Sequence, residues 1–245
     1  MNRFELKVKP LMIAHAAGGF HGQNYTNSLD ALNRNYAQGY RFFEMDFSWT
    51  SDQQLVCLHD WGKTFTKLFN LKVKSALRYS EIVQLIASKD DFEICTASSL
   101  ADWLKNKPEV KIITDIKYDN LRGIAYLLAH YPDLQSHLIP QFYQPEEYQA
   151  LRDMGFKQLI WILYQYKGNK KSIVAHSQHM ELLALSMRAS QAKSKTLQLL
   201  VPNHQVFVYT INNEKDKLSL VNDFHVTGIY TDFLPHELST VTDCC

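Results

Sequence analysis

Short apolar segments rich in β-branched and aromatic residues alternate along this chain with stretches in which apolar residues recur every three or four positions. The first pattern is typical of a buried β-strand and the second of an amphipathic helix. Their regular alternation indicates repeated β-α units around a parallel sheet. Strands are predicted at residues 11–16, 42–49, 55–59, 110–117, 137–143, 158–165, 181–187, 206–211 and 227–233.

The segments between these strands have the helical pattern. Helices are predicted at residues 27–38, 80–87, 99–106, 121–131, 145–154, 171–178 and 214–224, with a further helical segment that ends before Pro202. Gly39 follows the first helix, and Pro145 and Gly155 flank another in the order that helix termini favour. The polar connection at 51–53 has hairpin length, so the strands on either side of it are predicted to pair.

The strands at 42–49 and 55–59 count as one position, so the predicted strands fill about eight places in a chain of 245 residues. We therefore expect a (β/α)8 TIM barrel formed as a single domain over residues 1–245. The stretch 61–80 fits no period and is expected to be a loop excursion near the barrel mouth. A doubly wound open sheet is the alternative, but the chain has neither a G-x-G-x-x-G motif nor a P-loop.

The composition is that of an ordinary globular protein, with 46% hydrophobic and 21% charged residues, which excludes a disordered or fibrous chain. The 26 Lys and Arg residues nearly balance the 25 Asp and Glu residues, so no basic field favours nucleic acid. No apolar run reaches the ~18 residues that cross a bilayer, and the charged first ten residues are unlike a signal peptide. We expect a soluble, cytoplasmic protein whose mature chain starts near Met1.

The four cysteines do not suggest a disulfide framework. Cys57 and Cys95 lie far apart in the sequence, and Cys244 and Cys245 are adjacent at its end. A reducing compartment is the simpler interpretation. The terminal pair is expected to be a frayed tail rather than a lipid-attachment site, because the four-residue prenylation box is absent.

Polar side chains stand at the carboxyl ends of several predicted strands, where β/α barrels build their active sites. His15 follows the apolar run 11–14, and His59 follows the run 55–58. Glu44 and Asp46 are two residues apart on one strand, so both carboxylates project from the same face.

Asp115 and Lys117 share a face in the same way at the end of another strand. Like charges roughly 7 Å apart on an inward face repel unless a cation or a proton lies between them. Three carboxylates that converge in a barrel mouth make an all-oxygen site, which suits Mg²⁺ or Ca²⁺ rather than zinc. The spacing leaves a second interpretation open, an ion-pair network in which Lys117 neutralises Asp115.

Six runs fall in the order and spacing of a known enzyme family: 13–15, 26–32, 43–52, 55–60, 113–117 and 227–232. They resemble the glycerophosphodiester phosphodiesterase family, whose barrel is related to that of phosphatidylinositol-specific phospholipases C. The resemblance is strong over about the first sixty residues. It implies a metal-dependent hydrolase of lipid metabolism that cleaves small-molecule glycerophosphodiesters to glycerol 3-phosphate and an alcohol.

Carried over position by position, the resemblance implies that His15 and His59 are the general acid/base pair. Lys117 would contact the phosphate. The divalent cation, Mg²⁺ or Ca²⁺, would be held by Glu44, Asp46 and Asp115. A metal and two imidazoles fit the chemistry, because a phosphodiester needs charge neutralised on its non-bridging oxygens and a proton delivered to the leaving group.

The chain departs from the family pattern at three positions. Ala16 stands where the family has an arginine that clamps the phosphate, Thr26 replaces a glutamate, and Asp115 replaces a glutamate as the third metal ligand. The loss of a guanidinium removes charge-assisted hydrogen bonds, so phosphate affinity or the substrate itself is expected to differ. The sequence leaves open whether a nearby cation replaces the lost charge, the candidates being Arg41, Lys63 and Lys67.

Aromatic residues near predicted strand ends are candidate specificity elements. Tyr143 and Trp161 are expected to bind the substrate, and Tyr164 and Tyr209 are further candidates. Two other functions stay open: a catalytically degenerate barrel that binds a phosphorylated ligand, and a phospholipase D-like enzyme in peripheral contact with a membrane. The second requires an exposed apolar patch, for which the candidates are Phe65, Leu68, Phe69 and Leu71.

Overall fold

Eight parallel strands close into a barrel in the computed structural model, which describes residues 9–236 of the chain. The strands are β1 (Leu11–Ala14), β2 (Phe42–Trp49), β3 (Leu55–Val56), β4 (Lys111–Ile116), β5 (Leu138–Phe142), β6 (Ile160–Ile162), β7 (Ala184–Arg188), β8 (Val206–Tyr209) and β9 (Gly228–Thr231). All except β3 belong to a ring in the order β1-β2-β4-β5-β6-β7-β8-β9, which closes where β9 pairs with β1. The predicted TIM barrel is confirmed, and the open sheet is wrong.

The helices of the structure lie between the strands at nearly the predicted places. They are α1 (Leu29–Ala37), α2 (Lys63–Phe69), α3 (Tyr79–Ala87), α4 (Ala97–Leu104), α5 (Asn120–His130), α6 (Glu147–Asp153), α7 (Lys170–Ser177), α8 (Ala189–Ala192) and α9 (Glu214–Phe224). Side-chain caps begin several of them; the Ser28 hydroxyl, for example, accepts the Ala31 N–H at 3.1 Å. The excursion expected to lack regular structure contains α2, where Phe65 and Leu68 are buried three positions apart on one helix face.

The inside of the barrel is filled by a layer of apolar side chains, one from almost every strand. The buried members of this layer are Ile13, Ile113, Ile139, Ile160, Ala184, Phe207 and Tyr230. Alternate residues of the same strands face outward and pack against the helices. Because the layer closes the barrel below, the inward-facing polar residues farther along each strand collect at the carboxyl end.

The predicted hairpin is present. β3 runs antiparallel to β2, with Trp49 opposite Leu55 and Ser48 opposite Val56. The turn is closed by the Thr50 N–H, which donates to the Gln54 carbonyl at 2.8 Å. This hairpin brings the segment after β3, which carries His59, back over the carboxyl end of β2.

A disulfide joins Cys57 to Cys95, with a Cα–Cα distance of 5.4 Å, so the expectation of no disulfide is wrong. Separation in sequence was a poor guide because Val56 and Thr96 form an antiparallel bridge that brings the two cysteines side by side. Disulfides persist in oxidising surroundings, so the basis for expecting a reducing compartment is removed. Cys244 and Cys245 lie outside the described residues, and their role stays a prediction.

The helices among residues 9–236 differ from membrane spans in length and hydropathy. None of them is both long enough and apolar enough to cross a membrane.

Candidate active site

A cavity of about 240 Å³ opens at the carboxyl ends of the barrel strands. Its walls are His15, Tyr25, Glu44, Asp46, His59, Asp115, Lys117, Gln141, Ile162, Tyr164, Arg188, Tyr209, Thr210 and Tyr230. Both predicted histidines, all three predicted metal ligands and Lys117 are among them. The fold thus brings together six predicted residues, which lie on β2 and β4 and just after β1, β3 and β4.

His15 lies in a short 3-10 turn directly after β1 and is held by a carboxylate from the far end of the chain. Its Nδ1 is 2.8 Å from Oδ1 of Asp232, and its Nε2 is 3.9 Å from Oε2 of Glu44. Burial favours the neutral ring, but the Asp232 hydrogen bond and the negative charges nearby outweigh it and raise the pKa of His15 to about 9. The ring therefore holds a proton at neutral pH.

His59 is oriented by its neighbour in the sequence. Its Nδ1 lies 2.7 Å from Oδ2 of Asp60. Asp60 also accepts the Thr64 hydroxyl at 2.7 Å and the Gly62 N–H at 2.6 Å. Both histidines thus have Nδ1 on a carboxylate, which leaves the Nε2 atoms for the cavity.

The ring of Tyr25 stands between the two histidines. Its centroid is 4.8 Å from that of His15 and 4.6 Å from that of His59, and both contacts are edge-to-face. Burial and the charges of Asp46 and Glu44 raise the pKa of Tyr25 to about 12, so the phenol keeps its proton. Tyr25 lies in a loop, where the sequence offered no strand-end signal for it.

Three buried carboxylates converge beside the histidines. One oxygen each from Glu44, Asp46 and Asp115 lies within 4.8 Å of the others, and the residues are only 3%, 1% and 8% exposed. Burial and the nearby charge of Asp46 raise the pKa of Glu44 to about 8. Burial acts in the same direction on Asp46, but the cation of Lys117 outweighs it and lowers the pKa of Asp46 to about 2.

Lys117 neutralises part of this cluster. Its Nζ is 2.7 Å from Oδ1 of Asp46 and 3.2 Å from Oδ2 of Asp115. The ion pair left open by the spacing is therefore present together with the carboxylate cluster. Asn27 also holds Asp46, because its amide nitrogen donates to Oδ2 and its amide oxygen accepts the Asp46 N–H, both at 3.0 Å.

The cluster fits a hard divalent cation. All the candidate ligand atoms are carboxylate oxygens, which Mg²⁺ and Ca²⁺ prefer. Lys117 supplies one positive charge to three acidic groups, and burial together with repulsion from Asp46 raises the pKa of Glu44. A divalent ion would remove that repulsion.

The predicted aromatic residues divide between two faces of the barrel wall. The Tyr143 hydroxyl donates to Oδ1 of Asp115, so Tyr143 positions a carboxylate and does not itself line the cavity. Trp161 is 0% exposed and stacks on Phe142 outside the barrel, where its indole N–H donates to the Tyr143 carbonyl at 3.2 Å. The structure places Trp161 away from the cavity, because its neighbours Ile160 and Ile162 take the inward face of β6.

None of the three cations considered as replacements for the family arginine reaches the cavity. Arg41 stacks on Tyr36 and pairs with Glu109, and Lys63 and Lys67 line a separate groove beside Trp61. The arginine that does line the cavity is Arg188 at the end of β7. The predicted strand ended one residue before Arg188, so Arg188 was not among the polar residues identified at strand ends.

The apolar patch required for action at a membrane is mostly covered. Phe65 and Leu68 are buried beneath α2, whereas Leu71 is 42% exposed. Phe69 is partly buried, and contact of this segment with a membrane stays a prediction.

Residues 19–236 match the model of the Glycerophosphoryl diester phosphodiesterase family. A glycerophosphodiester phosphodiesterase from Thermotoga maritima has a similar structure, with 17% identity, a TM-score of 0.72 and coverage of 92% of this chain and 95% of that chain. One from Agrobacterium tumefaciens has 15% identity, a TM-score of 0.62 and coverage of 92% and 97%. Identities this low support the fold alone.

A third similar structure was solved with a bound product. It is an Oleispira antarctica phosphodiesterase in complex with sn-glycerol-3-phosphate, with 15% identity, a TM-score of 0.67 and coverage of 91% of this chain and 93% of that chain. A comparison with curated proteins finds no match.

Proposed function

The chain belongs to the glycerophosphoryl diester phosphodiesterase family, and we propose that it cleaves glycerophosphodiesters to glycerol 3-phosphate and an alcohol by two-histidine acid–base catalysis. The observation that carries the proposal is the pair of His15 and His59, each held through Nδ1 by a carboxylate, on the wall of one cavity. The product bound to the Oleispira antarctica enzyme is the one expected here.

Glu44, Asp46 and Asp115 would hold Mg²⁺ or Ca²⁺. When bound, the cation supplies positive charge to the phosphodiester oxygens and to the neighbouring glycerol hydroxyl. Lys117, already beside two of the carboxylates, adds a fixed ammonium for a non-bridging oxygen.

The two imidazoles perform the proton transfers. One Nε2 accepts the proton of the glycerol hydroxyl as its oxygen bonds to phosphorus, and the other donates a proton to the alcohol oxygen as the P–O bond breaks. Water then opens the resulting cyclic phosphate with the two roles exchanged, which yields glycerol 3-phosphate. Asp232 and Asp60 keep each ring in the tautomer and orientation that these steps require.

The experiment that tests this function measures release of glycerol 3-phosphate from a panel of glycerophosphodiesters with Mg²⁺, with Ca²⁺ and with chelator. His15→Ala and His59→Ala are compared with His179→Ala, which changes an exposed histidine outside the cavity. We expect cation-dependent release that only the first two variants lose, by about 10²- to 10⁴-fold. Turnover retained in either cavity variant would overturn the mechanism, and no release by the folded wild type would favour a ligand-binding barrel.

A further inference from the structure

Arg188 is the last residue of β7, on the side of the barrel opposite the carboxylate cluster. In the ring of eight strands, β7 lies directly across from β2, which carries Glu44 and Asp46. Ala184 belongs to the inner apolar layer, and the alternation of a strand places Ser186 and Arg188 on the same inward side. The inward face of β7 thus ends in a guanidinium at the cavity wall.

The guanidinium of Arg188 interacts with the Tyr209 hydroxyl, but no carboxylate of the described residues pairs with it. Among residues 9–236 the cavity carboxylates pair with Lys117 and His15, and Arg188 takes part in no ion pair. Its side chain is exposed to the cavity mouth rather than folded away. A guanidinium in this setting presents several N–H donors to whatever enters.

Tyr209 provides a second donor beside the guanidinium. It pairs with Arg188 in register between β7 and β8, and both side chains line the cavity. Within the described part of the chain, the buried Tyr209 hydroxyl donates to no acceptor. Burial raises the pKa of Tyr209 to about 12, so the hydroxyl keeps its proton and remains a donor.

We propose that Arg188 and Tyr209 form an oxyanion subsite for a second acidic group of the substrate, carried on the part of the diester remote from the carboxylate cluster. This inference rests on the proposed function, because it places the reacting phosphate beside Lys117 and the metal ligands. A carboxylate or a phosphate monoester has the chemistry that a guanidinium fork and a hydroxyl recognise. The subsite excludes choline-like head groups, whose positive charge Arg188 repels.

The position of Arg188 distinguishes this subsite from a substitute for the missing family arginine. That arginine would extend from position 16, in the turn directly after β1, whereas Arg188 lies on β7, three strands away around the ring. A cavity of about 240 Å³ is small enough for one substrate to touch both walls. The two ends of the substrate therefore meet cations on opposite sides.

The test uses glycerophosphodiesters that differ only in the end of the head group. Three members of the set carry glycerol, glycerate or glycerol phosphate as the alcohol. Their terminal groups are a neutral hydroxyl, a carboxylate and a phosphate, respectively. A choline diester is the cationic member. We expect kcat/KM of the wild type to be at least about tenfold higher for the acidic members than for the neutral one. The carboxylate and phosphate members show which oxyanion the subsite prefers.

Arg188→Gln removes the charge and keeps a shorter, uncharged polar side chain. We expect the ratio of acidic to neutral kcat/KM to fall to about one in this variant and to be partly kept in Arg188→Lys, which lacks the planar fork. The matched control is Arg34→Gln, an exposed arginine on α1 outside the cavity, which should keep the wild-type ratio.

A wild type that does not distinguish acidic from neutral diesters, or an Arg188→Gln variant that keeps the ratio, overturns the subsite. Calorimetric binding of the glycerate diester to the His59→Ala variant with the cation present separates this failure from failure of the proposed function. Arg188-dependent binding without turnover by the wild type supports the subsite and overturns the hydrolytic function. Absence of both binding and turnover would overturn the subsite and the hydrolytic function together.

Discussion

The Nδ1 atom of His15 lies 2.8 Å from Oδ1 of Asp232, although 217 positions separate the two residues in the chain. Barrel closure produces this contact, because β1 and β9 are adjacent and Ala14 lies opposite Thr231. The other oxygen of Asp232 accepts the Asn212 amide at 2.8 Å, so the carboxylate is held on both sides. Asp232 is therefore a positioning residue for His15.

Asp232→Asn should lower kcat by roughly 10²-fold and leave KM within a few-fold of the wild type, because the amide cannot hold His15 in the same tautomer. Steady-state kinetics on one glycerophosphodiester measures both constants. Asp223→Asn, on the exposed side of α9, is the matched control and should have the wild-type kcat. An Asp232→Asn enzyme as fast as this control would contradict the role.

The cation-free protein should lose stability as the pH rises from 6.5 to 9. The folded pKa of His15, about 9, exceeds its ordinary value of 6.5, so the folded state binds the proton more tightly than the unfolded state. The stabilisation is complete below pH 6.5 and disappears as the pH passes 9. The pKa of Glu44 is raised from 4.5 to about 8 in the folded state, so Glu44 also lowers the stability as the pH rises between these two values.

Urea unfolding in chelator at pH 6.5, 8 and 9.5 measures this dependence. His15→Gln should reduce the fall in the free energy of unfolding, because it removes the group that titrates over this range. A wild-type stability that rises with pH across the same interval would show that the sign is wrong.

Binding of Mg²⁺ or Ca²⁺ should release protons and strengthen with pH. Glu44, with a pKa of about 8, must lose its proton before it can ligate a cation at neutral pH. Affinity should therefore rise between pH 6 and pH 8, by at most about tenfold per pH unit for one proton. Calorimetry in buffers of different ionisation enthalpy counts the protons, and Glu44→Gln should release fewer.

Trp161→Phe should reduce stability and leave catalysis intact. The change removes an indole hydrogen bond and some packing outside the barrel, at a cost of about 1–2 kcal/mol. The free energy of unfolding and the kinetic constants are measured on the same preparation. A KM raised severalfold in the folded variant would instead indicate that Trp161 contacts the substrate.

Removal of the Cys57–Cys95 disulfide should destabilise the protein by roughly 4 kcal/mol, the chain-entropy value for a bridge that spans 38 residues. The double variant Cys57→Ala, Cys95→Ala avoids leaving a free thiol. The unfolding midpoint of this variant is compared with the midpoints of the oxidised and the reduced wild type. The wild type is reduced under denaturing conditions. Equal stability of the double variant and the oxidised wild type would contradict the assignment.

The sequence was most informative where polar residues mark the inward face of a strand. Glu44 and Asp46 are polar residues two positions apart within an apolar strand, and that alternation alone identifies the side facing the cavity. β6 has no such mark, since Ile160, Trp161 and Ile162 are all apolar and all buried. Parallel barrel strands are covered on both faces, so composition could not show that Trp161 faces the helices.

The sequence by itself determined the barrel, the strand ends and the residues that meet there, because hydrophobic period and spacing are local properties of the chain. Only the tertiary structure decided that Asp232 holds His15, that Cys57 reaches Cys95 and that Arg188 faces the carboxylates. These relationships depend on ring closure and on which strands stand opposite each other. Distance along a chain carries no information about distance across a closed barrel.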